Sequence, residues 1–170
     1  VEVKENSKFI SIEPFDKDLV IDFEIIYKNP LIRTRRKEFK FSSGDLVSVY
    51  NSRTFCLYED IELIRSQGLA KGGSLENAIV VKGDKILNED GLRHRHEFVE
   101  HKILDCLGDL MLAGHRILGR IKTSCGGHQL TNSLLNKFLS DKSNWEFESF
   151  ENAKTGSKDK IYTKPFAVNA

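Results

Sequence analysis

The chain contains few cysteines and no long apolar run, and both features limit the classes of protein to which it can belong. Only three cysteines, Cys56, Cys106 and Cys125, occur in 170 residues. They are too few and too scattered for a disulfide framework or a spaced pair of zinc ligands. No apolar stretch approaches the roughly 20 residues that cross a bilayer, and no signal peptide is visible. These features predict a protein of the reducing cytoplasm.

An excess of charge is also absent. Lysine and arginine total 26 and aspartate and glutamate total 25, so the formal net charge is +1. The basic run at 33–40 is balanced by acidic residues elsewhere. Charge therefore gives no reason to expect nucleic acid as a partner. A chain of this length can bury a real core as one domain, and it has no low-complexity block or short internal repeat.

Alternating β-branched and aromatic residues, interspersed with helix-like stretches, predict an α+β fold. We expect a two-layer sandwich of a sheet and helices with a small βαβ insert at about 54–82. Predicted strands lie at 8–14, 19–27, 37–41, 54–58, 78–82, 117–123 and 145–150. Predicted helices lie at about 42–52, 59–67, 95–113 and 130–140, the first capped by Ser42-Ser43-Gly44-Asp45. Residues 1–150 would form the domain and 151–170 a loosely held tail.

The long predicted helix at 95–113 carries the most informative residues. His101 and Asp105 are four positions apart, so they share one face, and Asp109 follows one turn later. The opposite face is apolar, formed by Val99, Ile103, Cys106, Leu107 and Leu110. An imidazole and carboxylates on one stripe suit a divalent metal, above all zinc. The alternative is an ordinary exposed helix face. His128, after a Gly-Gly turn, is a candidate partner for one carboxylate.

Several ordered blocks resemble one enzyme family. They are RTF at 53–55, DIE at 60–62, GL at 68–69, GGS at 72–74, AIVV at 78–81, LNEDGLR at 87–93, HKILD at 101–105, GDL at 108–110, GH at 114–115 and GHQLTN at 127–132. Together they resemble the second domain of the zinc-dependent UDP-3-O-acyl-N-acetylglucosamine deacetylases, which perform the committed step of lipid A synthesis. The family's third zinc-binding histidine and its glutamate base belong to an N-terminal domain, in an EH motif with no free counterpart here. The resemblance therefore implies half of an enzyme, beginning near Val1.

The resemblance implies roles for the polar candidates. His101 and Asp105 would bind Zn²⁺. His128, paired with Asp109, would stabilise an oxyanion and protonate the leaving amine, because a nearby carboxylate favours a protonated imidazole. The alternative for His128 is a helix cap.

It also implies contacts with the substrate, UDP-3-O-acyl-N-acetylglucosamine. Thr54 would support the oxyanion and Lys102 would meet the diphosphate. Tyr27 would stack on uracil, with core packing as the alternative. The insert would form a passage for the acyl chain, lined by Phe55, Tyr58, Ile61, Gly73, Ser74 and Val80. Burial of each methylene is worth about 0.8 kcal/mol. The alternative is a small satellite core.

Some positions depart from the family pattern. Cys125 stands where relatives commonly carry a lysine, which puts one diphosphate contact in doubt. His94 and His96 are additional histidines ahead of the zinc helix. They are either competing metal ligands or the solvated start of a helix.

The resemblance also has implications for the location and degradation of the protein in the cell. We expect a location in the cytoplasm, at the inner face of the inner membrane. The apolar end at 164–170 resembles tails that mark family members for a membrane-bound ATP-dependent protease, and the alternative is a frayed terminus. For the chain itself, two functions stay open: an amidohydrolase half-site, or a substrate-binding fragment without catalysis of its own.

Overall fold

A computed structural model describes residues 1–15, 18–43 and 46–148. Within these ranges it contains two sheets and four α-helices, and it confirms the α+β class. The strands are β1 (Glu2–Glu5), β2 (Lys8–Glu13), β3 (Leu19–Ile25), β4 (Arg35–Lys40), β5 (Thr54–Leu57), β6 (Ala78–Lys82), β7 (Lys85–Ile86) and β8 (Gly119–Ser124). The helices are α1 (Leu46–Tyr50), α2 (Ile61–Ser66), α3 (Glu97–Leu110) and α4 (His128–Ser140).

The larger sheet has the strand order β1-β2-β8-β3-β4, with β3 and β8 parallel and the other pairs antiparallel. Alternate side chains of β3, among them Ile21 and Phe23, enter the main core. Asp22 points to the other face, where Arg36 donates to it at 2.7 and 2.5 Å. One face of this sheet is therefore apolar and carries helices, while the other carries cross-strand ion pairs.

Helix α3 is the central element of the helical layer. Its predicted apolar face is buried at Val99, Ile103, Cys106 and Leu110, and Leu107 is half-buried. It packs on β3 and β4, while α4 packs on β1 and β2. Full burial of an aliphatic side chain of this size contributes about 1.5–3 kcal/mol. The apolar stripe thus fixes which face of α3 is left for polar residues.

The insert has the predicted strand-helix-strand order. Strands β5 and β6 pair in parallel with α2 between them in the chain, and β7 adds an antiparallel edge. Asn88, just beyond β7, ties the unit together. Its side chain accepts a hydrogen bond from the Val80 N–H at 3.0 Å and donates to the carbonyls of Leu75 at 2.6 Å and Ala78 at 2.8 Å.

The structure differs from the predicted elements at several ends. No strand forms at 145–148, where the Trp145 and Phe147 rings pack edge to face with centroids 5.2 Å apart. Residues 149–150, the predicted cap residues Gly44 and Asp45, and the predicted tail at 151–170 lie outside the described residues. Strands β1 and β7 were not predicted, because both are short and largely exposed. Across the described ranges, no helix combines the length and the apolar character that crossing a bilayer requires.

Candidate active site

His101 and Asp105 face each other on the polar side of α3. His101 Nε2 lies 3.3 Å from Asp105 Oδ1, and the two side chains are only 16% and 18% exposed. The other ring nitrogen, Nδ1, is 3.3 Å from the backbone carbonyl of Ser52. Because a carbonyl can only accept, Nδ1 carries the proton and Nε2 keeps its lone pair. The unprotonated nitrogen and the carboxylate therefore point toward the same place.

The charge state of His101 also suits metal binding. Burial lowers the pKa of its imidazole, although Asp105 and the contact with Ser52 act in the opposite direction. The neutral ring is the form that binds a metal ion. Lys102 Nζ donates to Asp105 Oδ2 at 2.6 Å, so the carboxylate lies between a lysine and an imidazole.

His128 and Asp109 form the second polar pair. Nδ1 of His128 is 2.9 Å from each carboxylate oxygen of Asp109, which joins α4 to α3. The turn before α4 makes this possible. Cys125 adopts a left-handed φ of 53°. A Cβ on Gly126 would lie 2.4 Å from Thr123 Oγ1, so only glycine fits there.

The two pairs border one open cleft of about 380 Å³. Its lining consists of Tyr27, Thr54, Phe55, His101, Lys102, Asp105 and His128. Every one of these residues was predicted as a site residue from the sequence, and Asp109 adjoins the cleft through His128. The Phe55 ring contacts Phe98, at 5.0 Å between centroids, and Tyr27, at 5.6 Å. The cleft therefore combines a polar side with an aromatic side.

Five other predicted insert residues lie outside the lining of this cleft. Tyr58 is exposed beneath Lys82, whose Nζ is 4.2 Å from the ring centroid, and Val80 is buried in β6. Ile61 is half-buried at the start of α2, and Gly73 and Ser74 lie in an exposed loop. The structure thus brings Phe55 to the polar residues but not the rest of the predicted acyl passage. That role for the five residues stays a prediction.

The metal candidates form a pair rather than a complete site. Within residues 1–15, 18–43 and 46–148, no group of three or more His, Cys, Asp or Glu side chains could hold a metal ion. A catalytic zinc normally has three protein ligands. The donors that His101 and Asp105 present are of the right type for two of these three positions.

A buried ion pair between Arg53 and Glu97, which the sequence did not predict, holds Thr54 in position. Arg53 Nε donates to Glu97 Oε1 at 2.8 Å and Arg53 Nη2 to Oε2 at 3.2 Å, with Glu97 fully buried at the start of α3. The same carboxylate accepts the backbone N–H groups of Arg53 at 3.1 Å and Arg93 at 2.7 Å. These bonds hold the start of β5, and hence Thr54, against α3. Arg53 was noticed only as part of a family block, because its partner lies 44 residues away.

His94 is half-buried just before α3. Its Nε2 lies 3.0 Å from Ser52 Oγ and 3.6 Å from Glu100 Oε2. These contacts show where the ring lies, and both roles considered for His94 stay predictions.

Comparison with known proteins identifies the family of the chain. The family model described as UDP-3-O-acyl N-acetylglycosamine deacetylase matches residues 1–140. The chain belongs to this family. It is 43% identical over 171 residues to the UDP-3-O-acyl-N-acetylglucosamine deacetylase of Cellvibrio japonicus, covering 99% of the chain and 55% of that relative.

Two further relatives carry the same name. That of Campylobacter hominis is 44% identical over 152 residues, covering 89% of the chain and 51% of the relative. That of Actinobacillus pleuropneumoniae is 41% identical over 154 residues, covering 89% and 50%. The chain thus spans about half the length of the curated relatives it matches. The family resemblance is confirmed, and it concerns part of a longer relative.

Proposed function

We propose that this chain is the second half of a zinc-dependent amide hydrolase that removes acetate from UDP-3-O-acyl-N-acetylglucosamine in lipid A biosynthesis. One observation carries the proposal. The His101–Asp105 pair and the His128–Asp109 pair border a single cleft, together with Thr54 and Lys102. The names of the relatives point to the same substrate and bond.

His101 and Asp105 would hold the zinc ion. The proton on Nδ1 of His101 is committed to Ser52, so Nε2 is available as a ligand beside Asp105. Zinc bound there would supply Lewis acidity toward the acetamide carbonyl and would acidify a water molecule. We assign the third ligand and the glutamate base to an N-terminal domain that the relatives' additional length accommodates.

His128 would act on the leaving group. With Nδ1 held by Asp109, Nε2 is the nitrogen available to the cleft. Attack of water on the acetamide carbon forms a C–O bond, with one proton of the water passing to the glutamate base of the N-terminal domain, and the C–N bond then breaks. The proton on His128 Nε2 goes to the glucosamine nitrogen, while Asp109 stabilises the protonated ring before the transfer. The Thr54 hydroxyl, which also lines the cleft, would donate to the developing oxyanion.

The remaining cleft residues would bind the substrate. Lys102 offers an ammonium group for the diphosphate, and Tyr27 offers a half-exposed ring for the uracil. Phe55 begins the apolar surface for the acyl chain. Tyr58, Ile61, Gly73, Ser74 and Val80 would extend it once the insert is in contact with a lipid chain. Each buried methylene would add about 0.8 kcal/mol.

The proposed setting follows from the substrate. A nucleotide-linked sugar with one acyl chain is amphipathic, which suits a cytoplasmic enzyme at the inner face of the inner membrane. Its partners would be that substrate, the N-terminal domain and a membrane-bound ATP-dependent protease that grips the C-terminal tail, with no role for nucleic acid. The alternative is a substrate-binding fragment without catalysis, which the incomplete ligand set of the described residues favours for the chain alone.

Activity of the full-length enzyme and of the 170-residue chain distinguishes the two. The assay measures acetate release from UDP-3-O-acyl-N-acetylglucosamine, with and without a zinc chelator. We expect chelator-sensitive turnover in the full-length enzyme, loss of both zinc and turnover in its His101→Ala variant, and no turnover by the chain. Turnover that survives chelation and His101→Ala would refute the zinc mechanism.

A further inference from the structure

A buried polar cluster lies behind the His101 ring, and the proposed reaction does not use it. Glu100 precedes His101 on α3 and its side chain is 1% exposed. Lys37 Nζ contacts its Oε1, whereas Oε2 has no hydrogen-bond partner among the described residues. His94 Nε2 is 3.6 Å from that oxygen. An unsatisfied buried carboxylate oxygen costs stability, so its retention calls for an explanation.

Ser52 connects this cluster to the candidate metal ligand. The Ser52 hydroxyl donates to the Ser48 carbonyl at 2.7 Å. A hydroxyl has a single hydrogen, so His94 Nε2, 3.0 Å away, must be the donor in its contact with Ser52 Oγ. The N–H of His94 therefore faces Ser52 Oγ, while the charge of the Glu100 carboxylate lies close to the same nitrogen. The carbonyl of the same Ser52 accepts from His101 Nδ1.

We propose that His94 and Glu100 are positioning residues for His101. Glu100 orients the His94 ring, His94 holds Ser52 by its hydroxyl, and the Ser52 carbonyl fixes both the ring orientation and the Nδ1–H tautomer of His101. The consequence for metal binding rests on the proposed role of His101 as a ligand. Groups that orient a ligand histidine typically change metal affinity by about 10–100-fold.

The geometry explains why the tautomer of His101 must be fixed. If the Ser52 carbonyl moved away, Nδ1 would lose its acceptor, and a neutral imidazole could place its proton on either nitrogen. A proton on Nε2 would be drawn to Asp105, 3.3 Å away. That hydrogen bond would occupy the two atoms that a metal requires. The buried cluster prevents this competing arrangement.

The test is NMR spectroscopy of the metal-free 170-residue chain with ¹⁵N-labelled histidine side chains. Long-range ¹H–¹⁵N correlations report which ring nitrogen of His101 is protonated. We expect a single Nδ1–H tautomer in the parent chain. The His94→Phe variant keeps a ring but removes the donor, and should give mixed tautomers. His94→Gln places an N–H near the original Nε2 position and should restore the single tautomer. His115→Phe, away from the cleft, is the matched control and should have no effect.

A second variant covers the case in which His94→Phe fails to fold. Ser52→Ala removes only the hydroxyl that His94 holds and leaves the carbonyl in the chain. It should also give mixed tautomers, with the amide spectrum of the sheet preserved. A single Nδ1–H tautomer in folded His94→Phe or Ser52→Ala would overturn the proposal.

Zinc titration of the same samples separates this inference from the proposed function. We expect the variants with mixed tautomers to need about tenfold more zinc, or more, for half-saturation of the His101 signals. A different outcome is mixed tautomers in the variants but no change of the His101 signals with zinc in any sample, including the parent chain. That outcome would support the positioning role of His94 and Glu100 and would refute His101 as a zinc ligand.

Discussion

Asp109 presents both carboxylate oxygens to Nδ1 of His128, each at 2.9 Å. The two residues are 19 positions apart, near the end of α3 and at the start of α4. The contact leaves only Nε2 of His128 for chemistry in the cleft. His128 thus pairs with Asp109, whereas His101 pairs with Asp105.

The first prediction concerns this contact. In the full-length enzyme, His128→Ala should lower turnover by roughly 10²–10⁴-fold, the range for loss of a general acid. Asp109→Ala should also lower turnover, because the protonated ring loses its partner. Zinc content should stay unchanged in both. Gln129→Ala, at the exposed neighbouring position of α4, is the control. Loss of zinc in His128→Ala would instead make the histidine a ligand.

The second prediction concerns zinc in the chain alone. With His101 and Asp105 as its two ligands, the chain should bind zinc weakly and release it to a mild chelator at neutral pH. His101→Ala should abolish the remaining binding. Elemental analysis after dialysis measures both. Stoichiometric zinc that resists the chelator would contradict the two-ligand site and would point to His94, His96 or His128 as a third ligand.

The third prediction concerns the buried ion pair between Arg53 and Glu97. Arg53→Met leaves a buried carboxylate without its guanidinium, so it should lower the free energy of unfolding by about 3–5 kcal/mol in urea titrations. Lys4→Met breaks an exposed pair with Glu2 and should change stability little. The double variant Arg53→Met with Glu97→Leu should recover part of the loss. Equal effects of Arg53→Met and Lys4→Met would show that the buried pair is not a structural anchor.

The fourth prediction concerns the stability of the fold at low pH. Burial alone would raise the pKa of Glu97, but the hydrogen bonds from Arg53 and Arg93 outweigh it, and the pKa is lowered. The pKa of Asp18 is lowered in the same way by Ser42 and Leu19, against burial. A lowered folded-state pKa contributes stability that is present above the unfolded pKa of about 4 and is lost as the pH falls through the folded value.

The melting temperature should therefore fall steeply below about pH 4 as these carboxylates are protonated. Asp18→Asn removes one of the responsible carboxylates. It should lower the melting temperature at neutral pH and flatten the fall in acid. A fall in acid as steep in Asp18→Asn as in the parent chain would exclude Asp18 as a source of the pH dependence.

The fifth prediction concerns the C-terminal tail, which lies outside the described residues. Charged replacements at Val168 and Ala170 should lengthen the half-life of the full-length protein in cells, because they disrupt an apolar end that a protease can grip. Specific activity should not change. Charged replacement of Asn169 provides a neighbouring comparison. An unchanged half-life would leave the tail as an ordinary terminus.

The helical layer shows which structural features a local sequence pattern can predict. The 3.6-residue period predicted the buried face of α3 and the shared polar face of His101 and Asp105, since both depend only on positions within one helix. The predicted strand at 145–150 was wrong over its described part. Trp145 and Phe147 are typical strand residues, but a strand also needs a neighbour with free hydrogen-bonding groups, and short-range sequence does not supply one.

The sequence by itself determined the family, the two sheets' principal strands and the residues that line the cleft. The strands follow from residue type and spacing along the chain, whereas the family and the cleft residues follow from ordered blocks that resemble a known family. Tertiary structure alone decided that Ser52 holds His101, that Glu97 receives Arg53, and that His94 turns inward to Ser52. Ser52 acts on His101 through a backbone carbonyl, which every residue type possesses. Such a contact has no signature in the sequence, because it depends on where the fold places the backbone.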